Sequence, residues 1–151
     1  MYMYYCFTAQ NFTNNNLAKI ANRIRYHAYI ARRIAEQVAK RENFPEDLFG
    51  FCARGAAILW KELDRAGFKA EIVYSPGHVY VYCAGYYVDT TATQFNLGKT
   101  FVRLEKSVEK LNTKTYMRQG EYLFPDWNIE CAMERFSNPI SFHAWQTKNG
   151  W

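Results

Sequence analysis

The chain has 151 residues, a length that suits one domain around one hydrophobic core. Hydrophobic residues make up 49% and charged residues 22%, which excludes a disordered chain, and no apolar run approaches the roughly 18 residues of a membrane span. The net charge is +5, and aromatic residues reach 18%; such a share suits a small core built from large side chains, and less often a groove lined with rings.

The segment Met1-Tyr2-Met3-Tyr4-Tyr5-Cys6-Phe7 has no basic n-region and no sustained apolar h-region. No secretory signal is expected, and a cytoplasmic setting is the default. A protein exported by a specialised route would read the same. No repeat, low-complexity tract or Pro/Gly linker divides residues 1–151, so they are read as a single domain.

The first long helix is expected from about Leu17 to Arg41. Leu17, Ile20, Ala21, Ile24, Ala28, Ala31, Ile34, Ala35 and Val38 recur at helical spacing. Asn14 to Asn16 are N-cap candidates, and Asn43-Phe44-Pro45 ends the helix because the residue before proline avoids the helical region. Seven bases (Lys19, Arg23, Arg25, Arg32, Arg33, Lys40, Arg41) stand here against one acid, Glu36. Such a face can hold nucleic acid or an acidic protein, but more often it is simply solvated. His27 lies on the apolar stripe and reads as a core or boundary histidine.

A second helix begins between Pro45 and Phe51 and runs to Ala66, with Gly67 as its left-handed terminator. Ala53, Ala56, Ala57, Ile58, Leu59, Trp60 and Leu63 make it apolar on most sides, so it should be central. The pattern then changes to period two. Strands are expected at Lys69–Tyr74, His78–Cys83 and Tyr86–Asp89, joined by Ser75-Pro76-Gly77 and by Ala84-Gly85. A fourth covers Phe101–Leu104, and Glu105–Asn112 is a short polar helix or loop. Asp126 caps a short helix over Trp127–Phe136, and no period marks the tail from Ser137. Helices first and an antiparallel sheet after them define an α+β domain.

Four cysteines are present: Cys6, Cys52, Cys83 and Cys131. No pair has metal-ligand spacing, and there is no glycine-rich phosphate loop, so neither a metal nor another cofactor is expected. Cys52 falls in or just before the first turn of the second helix. Unpaired N–H groups there favour a thiolate and can help hold an oxyanion. Alone, Cys52 reads more readily as a small buried residue on an alanine-rich helix. His78 opens a strand, where an imidazole can face a cleft or merely be satisfied structurally. Asp89 ends the next strand and could be only a turn former before Thr90-Thr91.

Register decides whether His78 and Asp89 meet. A two- or four-residue connection centred on Ala84-Gly85 makes opposed residue numbers sum to 169. His78 and Asp89 are then diagonal neighbours on one face, roughly 7–8 Å apart at the backbone. A three-residue loop puts them on opposite faces. Ala84 is poor at the positive φ of a type I′ turn, so both registers stay open. Cys83 faces away from His78 in a regular strand and reads as packing, as do Cys6 and Cys131; His143 in the tail is a reserve base.

Three segments carry a resemblance. They are Leu48-Phe49-Gly50-Phe51-Cys52-Ala53 before a helix ending at Gly67-Phe68, then Gly77-His78-Val79-Tyr80-Val81, then Tyr87-Val88-Asp89-Thr90-Thr91-Ala92-Thr93-Gln94-Phe95. In this order they resemble the transglutaminase-like branch of the papain-like cysteine enzymes, over about a third of the chain, from Leu48 to Phe95. The resemblance implies a central helix bearing the nucleophile Cys52, packed on an antiparallel sheet bearing the base His78 and its orienter Asp89. It implies a hydrolase or acyltransferase working through a thioester on protein or peptide amide groups: glutamine deamidation, transamidation or peptide cleavage. It suits a small bacterial effector, toxin domain or phage protein, delivered in some cases into a host cell. The chain departs from the pattern at the oxyanion donor, since Glu46 stands where papain-like members carry Gln; Asn43 and Gln94 are the substitutes considered. The alternative is a non-catalytic binding module of the same fold that uses the basic helix.

Overall fold

A computed structural model describes residues 9–111 and 113–121. Cys6, Cys131, His143 and the helix expected over Trp127–Phe136 lie outside the described residues. Two helices, α1 (Ala9–Arg41) and α2 (Cys52–Arg65), precede strands β1 (Ala70–Ser75), β2 (His78–Cys83) and β3 (Tyr86–Asp89). A 3-10 turn over Ala92–Phe95 leads to β4 (Phe101–Leu104), the one-turn helix α3 (Glu105–Val108) and β5 (Gly120–Glu121). The strands form one antiparallel sheet in the order β4-β3-β2-β1-β5, and the fold is α+β with helices packed on the sheet. Among the described residues no helix is long and apolar enough to cross a membrane.

Helix α1 begins earlier than the asparagine run suggests, so Asn14 to Asn16 lie inside it and do not cap it. Asparagine costs only about 0.7 kcal/mol in a helix interior, too little to stop a helix held elsewhere by packing. The buried stripe is Ala21, Ile24, Ala28, Ala31, Ala35 and Ala39, and Ile34 falls outside it. Alanines let α1 lie close on α2, whose residues from Cys52 to Leu59 are all buried. Both helices end on a residue in the left-handed region: Asn43 (φ 62) for α1 and Gly67 (φ 87) for α2. In each case the next N–H reaches five residues back, Phe44 to Ala39 and Phe68 to Leu63. Asn43, not Pro45, therefore stops α1.

The hairpins fix the register. Pro76-Gly77 joins β1 to β2 with Ser75 opposite His78. Ala84 (φ 51) and Gly85 (φ 87) close the β2–β3 turn as a two-residue loop, with Cys83 opposite Tyr86 and Val81 opposite Val88. Ala84 accepts the left-handed conformation despite a cost of roughly 1–2 kcal/mol. His78, Tyr80 and Asp89 then share one face. That face carries an aromatic cluster including Tyr80, Tyr87, Phe101 and Tyr116, while Val79, Val81 and Cys83 pack toward α1 and α2.

Candidate active site

β2 begins and β3 ends at the same end of the sheet, so His78 and Asp89 are brought together by the hairpin itself. His78 Nε2 lies 2.7 Å from Asp89 Oδ2, and both residues are 2% exposed. The Asp89 carboxylate accepts three further bonds. Tyr116 Oη donates to Oδ2 at 2.7 Å, and the Thr91 N–H and Thr91 Oγ1 donate to Oδ1 at 2.8 and 3.1 Å. Burial alone would raise the carboxyl pKa, but the charge and hydrogen bond of His78, with Thr91 and Tyr116, hold it below the usual range. An ionised Asp89 accepts only, so Nε2 carries its proton and Nδ1 is the nitrogen left for other work.

Burial opposes charge on the His78 ring, yet the charge and hydrogen bond of Asp89 outweigh it and push the pKa up to about 10. Cys52 is a lesser contributor in the same direction. No hydrogen bond of good geometry joins it to the ring, and Nδ1 is buried without a partner among the described residues. With its pKa pushed up to about 10 the ring is protonated near neutral pH, so Nδ1–H is a buried, unpartnered donor that can steady a thiolate and later give up its proton.

Cys52 is the first residue of α2. The side chain of Phe51, which precedes the helix, makes no capping bond. The first backbone bond into the helix comes from Gly55 N–H to Phe51 O at 2.8 Å, so the N–H groups of Cys52 and Ala53 are open donors. The approach to Cys52 is strained, since Leu48, a non-glycine residue, takes φ 63. Gly55 sets the spacing between α2 and the loop after Asp89. A Cβ there would lie 2.7 Å from Thr91 Cγ2 and 3.1 Å from Thr90 Oγ1, and Thr90 Oγ1 bonds Gly55 O at 3.3 Å. Cys52 itself is only 4% exposed.

Rings enclose the imidazole. Tyr80 stacks on it with centroids 5.6 Å apart, and Phe95 and Tyr116 meet it edge-on at 4.8 and 5.6 Å. Tyr116 is itself stacked on Phe101 at 4.4 Å. Phe95 is the enclosing ring that also meets solvent. Burial pushes the Cys83 thiol up to about 11, in keeping with a packing role.

Neither side chain considered as an oxyanion donor is placed for that work. Asn43 is exposed and is used to end α1. Gln94 Nε2 donates to Thr91 Oγ1 at 3.0 Å, bracing the residue that holds Asp89. The basic face of α1 also needs correction. Arg32 is buried, its Nε bonding Glu36 at 2.8 Å and its Nη1 bonding Thr90 O and Thr93 Oγ1, both at 2.8 Å. It fastens α1 to the loop after β3. His27 is a partly buried boundary residue, 3.0 Å from Glu62.

Sequence reasoning missed Tyr116, Gly55 and the fastening role of Arg32. An isolated glycine inside an alanine-rich helix is a signal of close packing, and Asp-x-Thr is a signal of a side chain folding back on its own backbone. Nothing in the sequence around Tyr116 points to Asp89. Compared with known proteins, the chain matches no family model, no curated protein and no solved structure.

Proposed function

We propose that the chain is a cysteine-nucleophile hydrolase or acyltransferase, transglutaminase-like, acting on protein or peptide amide groups. The observation that carries this reading is the 2.7 Å His78–Asp89 pair, whose free imidazole nitrogen is left for a thiol at an uncapped helix start. The Cys52 proton rests on Nδ1 in a thiolate–imidazolium pair, and Asp89 stabilises the charged imidazole. The thiolate attacks the carboxamide carbon, and the Cys52 and Ala53 N–H groups receive the developing oxyanion. His78 then protonates the leaving nitrogen, so ammonia or an amine departs and a thioester remains. Water or a second amine takes the acyl group, with His78 accepting the proton of the incoming nucleophile.

With Cys52 4% exposed, the acyl donor must reach the sulfur past the rings around His78. The basic-helix binding alternative loses support because Arg32 is recessed, with its Nε and Nη1 committed to Glu36, Thr90 and Thr93, so it does not belong to an exposed row of bases. The test is ammonia release from glutaminyl peptides and peptide cleavage, with hydroxylamine trapping of the thioester. Cys52→Ala and His78→Gln should each abolish turnover while circular dichroism stays unchanged. Turnover that survives Cys52→Ala would end the reading, as would slow, equal alkylation of every cysteine near neutral pH.

A further inference from the structure

We infer that the cleft between α1 and the loop before β4 binds a small anion carrying a terminal phosphate group. Tyr29, Arg32, Arg33, Glu36, Lys40 and Lys99 line this cleft, whose volume is about 380 Å³. Four bases face one acid. The acid is already shared: Glu36 Oε1 accepts from Arg32 Nε at 2.8 Å and pairs with Lys99 Nζ at 3.5 Å. The wall therefore keeps a clear positive excess.

Arg32 makes this a built site and not a loose patch. Its side chain is 4% exposed, and Nε and Nη1 are committed to Glu36, Thr90 and Thr93. Nη2 has no partner among the described residues, and the guanidinium forms part of the cleft wall. Nη2 is not itself buried and reaches the cleft surface, where it offers an anion a directed, charged donor. Guanidinium groups match phosphate oxygens in a planar, directional way. Arg33, held with its Nη1 3.1 Å from Tyr29 Oη, and Lys40 add charge at the rim.

The recessed guanidinium selects the form of the ligand. A nucleic-acid backbone presents phosphodiesters to exposed rows of bases, with salt-dependent attraction along the strand. Here one of the four bases lies at depth, which favours a terminal phosphate entering end-on. The inference does not depend on the chemistry assigned to Cys52.

The test uses the full chain and Arg Nε–Hε signals in nuclear magnetic resonance. Inorganic phosphate and pyrophosphate are titrated in turn, with sodium chloride holding the ionic strength constant. Saturable shifts at Arg32 and Arg33, stronger for pyrophosphate, are expected. The exposed pair Arg33→Gln and Lys40→Gln together should weaken pyrophosphate binding by about tenfold or more without altering the melting temperature. Three outcomes would overturn the site: shifts that follow ionic strength without saturating, undiminished binding in the double variant, or an oligonucleotide lacking terminal phosphate that binds as tightly as pyrophosphate.

Discussion

Tyr116 and His78 hydrogen-bond the same oxygen of Asp89, each at 2.7 Å, from positions 38 residues apart in the chain. The phenol draws on the negative charge that holds the imidazole protonated. Tyr116→Phe keeps the ring against Phe101 and His78 and removes only that donor. Asp89 then concentrates its charge on His78, so the imidazole pKa should rise further. Stability should fall by about 1.5–3 kcal/mol, the range for a bond to a charged group. Titration of the His78 ring nitrogens checks the direction, and an unmoved titration would reduce Tyr116 to packing.

The pair should also mark the pH dependence of stability. The raised pKa of His78, up to about 10, means its contribution is complete below the ordinary histidine value of 6.5 and is lost as pH rises through about 10. The lowered pKa of Asp89 means its contribution is complete above 3.8 and is lost as pH falls through the folded value. Both are full between these ordinary values, and the advantage of the native chain over Asp89→Asn should be largest there. Urea midpoints across the pH range give the comparison; a constant difference from pH 4 to 11 would contradict it.

Gly55→Ala should push α2 away from Thr91, because the new methyl meets Thr91 Cγ2 at 2.7 Å. A loss of about 1–3 kcal/mol is expected from overpacking, offset by up to roughly 1 kcal/mol of helix propensity. Cys52 should withdraw from His78, and its preferential alkylation should fade. Adding Thr91→Ser removes the clashing methyl but keeps the hydroxyl bonded to Asp89, so the double variant should recover both properties.

Phe95→Ala should open the enclosure around His78. The ring is 36% exposed, and its edge contact with the imidazole is worth about 0.5–1.5 kcal/mol. Iodoacetamide should then label Cys52 faster, with Cys83 still resistant. Peptide mapping of the labelled protein distinguishes the two, and an unchanged rate at Cys52 would show that access runs elsewhere.

Local pattern made much of this arrangement readable. The hairpin strands His78–Cys83 and Tyr86–Asp89 follow from period two and from the turn residues between them, but the sequence leaves their register open, because Ala84 is poor at positive φ, and only the structure shows the two-residue loop. Cys52 near a helix start was readable because Pro45 precedes it and the alanine run follows it. What escaped depends on distance through space. Arg32 is one of seven bases in its helix, and only the fold shows that it faces a carbonyl 58 residues away. Tyr116 sits in an irregular segment, where no periodicity assigns a face. The asparagine run misled because capping preference is a local tendency that packing overrides.

Asp89 has two oxygens with about four lone-pair directions, and four protein donors already occupy it. It has no acceptor capacity left for a water molecule, a substrate hydroxyl or a cation. Proton traffic must therefore leave the pair from the far edge of the imidazole, and a ligand that competed for the carboxylate would have to dismantle the loop that holds it.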